Sequence, residues 1–190
     1  MDRSITHALT GEVITFLETT AETNGEYLLI KVDLPPGGDG PLKHYHLAFE
    51  EAFEVIEGEL ELIVGDELII LEAGGTRTVP KTVHHQFKNA SVNQPVSFHV
   101  KITPPHEFED SMRMLYGIIA DGESNKKGAP KSLLKSALIL DMQDTKLTKM
   151  PLLLQNFLFN ILVKKAKKKG IEAELRRKYV PIEKPPEHAS

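Results

Sequence analysis

The sequence contains no cysteine. Disulfides, thiolate metal sites and cysteine nucleophiles are therefore excluded, and any metal held by this chain must sit on nitrogen and oxygen ligands. Redox compartment stays open, since a cysteine-free chain tolerates either state. The opening residues, Met1-Asp2-Arg3-Ser4, lead into a polar stretch without the basic and apolar segments of a secretory signal. No apolar run reaches the roughly 20 residues a spanning helix needs. The densest, Leu152 to Val163, is interrupted by Gln155, Asn156 and Asn160. These absences lead us to expect a soluble, cytoplasmic protein. There is also no internal repeat, no low-complexity tract, no glycine-rich phosphate loop, no nucleophile elbow and no helical His-Glu-x-x-His pattern.

What remains is a chain of 190 residues, enough for one domain with an appendage and for a sizeable apolar core. Its net charge of −4 hides an asymmetry. Through Ile119 there are 8 Lys/Arg against 19 Asp/Glu, and from Ala120 onward 15 against 8. Either an acidic first half attracts a basic tail within one fold, or the tail offers Lys164, Lys165, Lys167, Lys168, Lys169, Arg176, Arg177 and Lys178 to an anionic partner.

The hydrophobic period changes along the chain. Leu28, Ile30, Val32 and Leu34 alternate with other residues, as do Leu60, Leu62 and Val64, Ile69 and Leu71, and Val96, Phe98, Val100 and Ile102. Period two with Gly/Pro/Asn turns between short runs predicts an all-β sandwich or barrel up to about Pro104. Beyond it Phe108, Met112, Leu115 and Ile119 follow helical spacing, and a second helical run after Pro130 holds Leu133, Leu134, Ala137 and Leu138. A third helix is predicted from near Pro151 to Gly170, with Asn156, Asn160, Lys164 and Lys167 as its narrow polar stripe. So wide an apolar arc calls for cover by the barrel or by a partner. Pro181 to Ser190 reads as a frayed, Pro- and charge-rich end.

Two stretches carry the chemistry. His44 and His46 lie two apart on a predicted strand, so their side chains share a face, with Cα atoms about 6.5 Å apart. Glu51 follows, and Phe53 and Val55 share its parity before Gly58 makes a turn. Glu51 is preferred over Glu50, although a one-residue slip in the loop would exchange them. A third histidine, His85, comes from Gly74 to Asn89 and shares parity with Phe87 and Asn89, whereas neighbouring His84 takes the other face. Three imidazoles and one carboxylate suit Fe(II), Mn(II), Zn(II) or Ni(II) and leave positions for water or substrate. Tyr45, Gln86 and His99 are candidates for orienting the imidazoles. Asn89 reads as a turn residue, and His7, His106 and His188 as exposed.

The two stretches resemble the paired motifs of the cupin superfamily. His44, His46, Glu51 and Gly58 meet every term of the first motif, and Gly74, Pro80, His85 and Asn89 meet the second, with Thr82 where the family usually has glycine. The resemblance implies a double-stranded β-helix, a jelly-roll barrel, over residues 1–104, followed by a helical extension over 105–190. It implies the metal ligands His44, His46, Glu51 and His85 and one divalent transition metal per chain (Fe, Mn, Ni or Zn). The expected function is a metal-dependent enzyme, dioxygenase-like or isomerase-like, acting on a small oxygen-bearing molecule, with Glu51 as a catalytic base. A binding or sensory barrel that captures a small ligand without turnover is the alternative. Because cupins commonly pair through barrel edges and the third helix needs cover, a homodimer is expected. Contact of the lysine-rich helix with an anionic membrane surface is the lesser alternative. Nucleic-acid binding is not expected, because the lysine cluster has no aromatic platform beside it.

Overall fold

A computed structural model of the chain describes residues 3–181. Its strands are β1 (Ser4–Thr6), β2 (Val13–Glu18), β3 (Leu28–Leu34), β4 (His44–His46), β5 (Glu50–Glu57) and β6 (Glu59–Val64). They continue with β7 (Glu67–Glu72), β8 (Thr76–Val79), β9 (His85–Asn89), β10 (Val96–Thr103) and β11 (Thr145–Leu147). The helices are α1 (Phe108–Ala120), α2 (Leu133–Met142), α3 (Leu152–Lys168) and α4 (Ile171–Tyr179).

The strands form two antiparallel sheets, ordered β1-β2-β3-β10-β5-β8 and β11-β4-β9-β6-β7. From β3 to β10 the chain passes repeatedly from one sheet to the other, winding the jelly roll that the motifs imply. Alternation decides which side chains go between the sheets. On β10, Val96, Phe98, Val100 and Ile102 are all buried, and they pair in register with Leu34, Val32, Ile30 and Leu28 of β3. Phe53 from β5, Phe87 from β9 and Phe98 meet with ring centroids 5.3–6.1 Å apart and fill the barrel below the histidines. Burying side chains of this size contributes about 1.5–3 kcal/mol each. Gly58 makes the sharp return from β5 to β6 at φ +82°, where a Cβ would sit 2.5 Å from the Pro95 carbonyl oxygen.

Helix α1 joins two cores. Phe108, Met112 and Leu115 pack against the barrel interior. Met114 and Ile118, one face further round, belong to a second cluster with Leu138 and Met142 of α2, Val163 and Ala166 of α3, and Leu175 of α4. The three helices expected from the 3.6-residue period are present at the expected positions. Helix α4 was not expected, because Gly170 reads as a stop; at φ +72° it ends α3 and opens α4 in one residue. Helix α4 is held to α1 by charge: Arg176 pairs with Asp110 and Glu107, and Lys178 with Asp121. Arg176 and Lys178 of the basic tail are thus neutralised at the two ends of α1, within the helical half, rather than by the barrel. The expected frayed end, apart from Pro181, lies outside the described residues, as does His188. His7 departs from its expected exposure: it is half-buried, its ring set edge-on against Tyr116 at 5.3 Å, because α1 folds back over the first strands.

Candidate metal centre

The structure gathers His44, His46, Glu51 and His85 into one buried group, with one ligand atom from each lying within 4.8 Å of all the others. The pleat explains the selection. His44 and His46 face inward from β4 while Tyr45 between them faces out, and His44 pairs directly with His85 of β9. Glu51 reaches the group from β5 in the opposite sheet, where it is buried and Glu50 is exposed. The carboxylate of the group is therefore Glu51. His84 is exposed and stacks with Tyr45 at 4.7 Å, outside the barrel.

All three imidazoles are oriented by backbone carbonyls. His44 Nδ1 lies 2.8 Å from the Leu42 oxygen, His85 Nδ1 3.1 Å from the Val83 oxygen, and His46 Nδ1 3.3 Å from the Asp144 oxygen. A carbonyl only accepts, so each Nδ1 carries a proton and donates, and each Nε2 turns toward the group's centre. The side chains expected in this role, Tyr45, Gln86 and His99, do not fill it. They occupy the alternate positions of β4, β9 and β10, whose side chains point away from the interior; His99 instead lies 3.4 Å from Glu54.

With all three imidazoles neutral, acceptors face acceptors. His85 Nε2 is 2.8 Å from Glu51 Oε2, and His46 Nε2 is 4.0 Å from Glu51 Oε1. His46 Nε2, His85 Nε2 and Glu51 Oε2 are buried without a hydrogen-bond partner among the described residues. Buried unpaired acceptors cost about 1–3 kcal/mol each, so this arrangement calls for a proton or a cation between them. An all-nitrogen-and-oxygen set of three imidazoles and a carboxylate fits a divalent transition metal.

The electrostatics agree. Burial, reinforced by the neighbouring His85 and His46, pushes His44 down to about 3. Burial also lowers His46, against the pull of Glu51. Burial opposes ionisation of Glu51, but His85 and the other imidazoles outweigh it and hold the carboxyl down at about 2. His85 alone is raised: burial works against its charge, and contact with Glu51 more than compensates. Near neutral pH the group thus offers an ionised carboxylate and two neutral imidazoles, the forms that bind metal.

The helical half completes the surroundings. Strand β11, from that half, pairs antiparallel with β4, setting Thr145 opposite His46 and Leu147 opposite His44. Just before it, the Asp144 carboxylate accepts the backbone N–H groups of Leu47 (2.5 Å) and Ala48 (2.6 Å), and Lys146 neutralises it at 3.0 Å. Phe49 stacks on His46 at 4.1 Å, and Phe108 of α1 meets Phe49 edge-on. From the other side Thr82 donates its N–H to the His46 carbonyl at 2.7 Å. Thr82 has φ +68°, which accounts for the glycine usual at that position. Asn89 is structural, as its turn reading holds: its Nδ2 donates to the carbonyls of Pro35 and Gln94, tying two loops together.

Comparison with known proteins finds a family over part of the chain. Residues 30–102 match the cupin domain family model. No curated protein matches the chain. Among solved structures it is similar to a cupin domain from Schizosaccharomyces pombe, at 16% identity and TM-score 0.44, over 49% of this chain and 64% of that one. It is also similar to a sugar phosphate isomerase of the cupin superfamily from Silicibacter pomeroyi, at 27% identity and TM-score 0.44, over 49% and 59%. A third is an RmlC-like cupin from Shewanella frigidimarina, at 23% identity and TM-score 0.46, over 54% and 85%. The chain spans less than two thirds of the length of the first two. It carries a cupin superfamily domain, a jelly roll with a buried His/Glu group and a helical extension.

Proposed function

We propose that this protein binds one divalent transition metal through His44, His46, Glu51 and His85 and acts as a metal-dependent enzyme on a small oxygen-bearing organic molecule. The observation that carries the reading is the convergence of carbonyl-fixed imidazoles on Glu51, with three buried acceptor atoms left unpaired. When bound, zinc would supply Lewis acidity and iron would supply a site for O₂ beside the substrate. The chain's own residues do the rest. The carbonyls of Leu42, Val83 and Asp144 keep the Nδ1 protons away from the substrate side, and Phe49 and Phe108 exclude water. Glu51, the sole carboxylate of the group, is the one candidate base in it, and serves only once substrate relieves the imidazole contacts that hold its carboxyl low.

The second reading is a binding or sensory barrel without turnover. The near-complete burial of all four groups favours it, since deeply buried ligands suit holding a small molecule better than rapid exchange. Product formation separates the two. Protein reconstituted anaerobically with Fe(II), Mn(II), Ni(II) or Zn(II) is incubated with small hydroxy acids, keto acids and sugars, following O₂ uptake and product by NMR. The enzyme reading predicts product with one metal and none with the His46→Ala/His85→Ala variant. Saturable binding of a panel member without product supports the second reading. A Glu51→Gln protein that holds metal and reacts at the wild-type rate removes the proposed base.

A further inference from the structure

Helix α3 is turned in an unusual sense for a helix on a globular protein. Its buried positions include Gln155, fully enclosed, with its Oε1 accepting the Leu147 N–H at 2.7 Å and so fastening α3 to β11. Val163 and Ala166 are buried on the same side. The outward side is apolar over its first two and a half turns except for Asn160, which is exposed beside Phe157. Leu153 is 86% and Phe157 64% exposed, and Leu154, Leu158 and Ile161 stand beside them. Apolar side chains at this spacing form a continuous stripe, which a monomer in water rarely presents without a use for it.

Charge says what would cover that stripe. From Thr145 to Ile171 there is no acidic residue, and the segment holds seven lysines. Lys164, Lys165 and Lys168 continue the outward face of α3 beyond Ile161, and Lys149 precedes its start. The tail's cations divide into two sets. Arg176 and Lys178 are satisfied by α1, and Lys167 by Glu172. Lys149, Lys164, Lys165, Lys168, Lys169 and Arg177 form no ion pair among the described residues. A second copy offering the same face would bring the same lysines and no carboxylate, so it supplies apolar cover but no counter-charge.

We infer that α3 is a membrane-surface helix that seats the protein on an anionic bilayer. Leu153, Phe157 and Ile161 enter the headgroup–acyl boundary and the unpaired lysines meet the acidic headgroups. No described helix is long and apolar enough to cross a membrane, so the contact is interfacial. The acidic balance through Ile119 turns the barrel away from the same surface and orients the molecule on it. This surface is independent of the metal group.

Flotation with phosphatidylcholine vesicles, with and without phosphatidylglycerol, tests the inference. The full chain should float only with the anionic vesicles and be released by rising salt. Leu153→Gln/Phe157→Gln and Lys164→Glu/Lys165→Glu/Lys168→Glu should each weaken partitioning by about a hundredfold. All the substituted positions are exposed, so the variants should keep the wild-type melting temperature and metal content. Equal binding to neutral vesicles would overturn the inference. So would absence of vesicle binding, with sedimentation showing a dimer that Leu153→Gln/Phe157→Gln dissociates; the occupant is then a second copy.

Discussion

The backbone carbonyl of Asp144 lies 3.3 Å from His46 Nδ1, across 98 residues of sequence. The same residue's carboxylate holds the N–H groups of Leu47 and Ala48. One residue of the helical extension thus fixes both the tautomer of a histidine in the buried group and the loop leading to Glu51.

Asp144 has φ +47°, so substitutions there divide into two kinds. Asp144→Gly keeps the backbone conformation and removes only the carboxylate, whereas Asp144→Ala also strains the backbone. Losing the two charge-assisted bonds should cost about 2–3 kcal/mol in urea titrations. Chelator competition should show metal affinity falling about 10- to 100-fold in both variants. Wild-type affinity in Asp144→Gly would mean that the extension does not support the site.

Thr82 is exposed and held in the left-handed region. A β-branched residue there is strained, and glycine is not. After the entropy that glycine adds to the unfolded chain, Thr82→Gly should gain about 0.5–1 kcal/mol, and Thr82→Ala less. Thermal melting decides: a lower melting temperature for Thr82→Gly contradicts the reading.

Glu12 lies under α1, and burial raises its carboxyl to about 7 despite a hydrogen bond from Tyr116. Between about pH 4.5 and 7 the folded chain therefore holds a proton that the unfolded chain has released. Stability from this group is complete below that window and lost as pH rises through it. Partial exposure keeps the loss on the order of 2 kcal/mol. Urea titrations at about pH 5 and about pH 8 should show this slope in the wild type and a flatter one in Glu12→Gln. An identical slope in both assigns the dependence elsewhere.

Much of this arrangement is legible in the sequence because it is local. The pleat sends alternate residues to one face, so the spacing of His44 and His46 already implies a shared interior. Glu51 and His85, on other strands, were legible only through the resemblance of the two stretches to the cupin motifs. The orienting groups were not legible, because they are backbone carbonyls, which every residue carries. The short β1 and β11 leave little trace in a pattern reading: three residues show too little alternation, and β11 is held by β4 and Gln155 from elsewhere. The same tertiary contact explains α3. Pattern alone sets Asn156, Asn160, Lys164 and Lys167 outward and the apolar arc under cover, yet the bond of Gln155 to Leu147 turns the helix and leaves Leu153 and Phe157 facing out.

The central claim is that His44, His46, Glu51 and His85 hold a metal, and elemental analysis tests it most directly. Untagged protein purified without chelator is measured beside the His46→Ala/His85→Ala variant. The account predicts about one Fe, Mn, Ni or Zn per chain in the wild type, lost in the variant, with a higher wild-type melting temperature when metal is bound. A wild-type protein that takes up no metal, even after anaerobic reconstitution, would contradict it and leave a metal-free binding barrel.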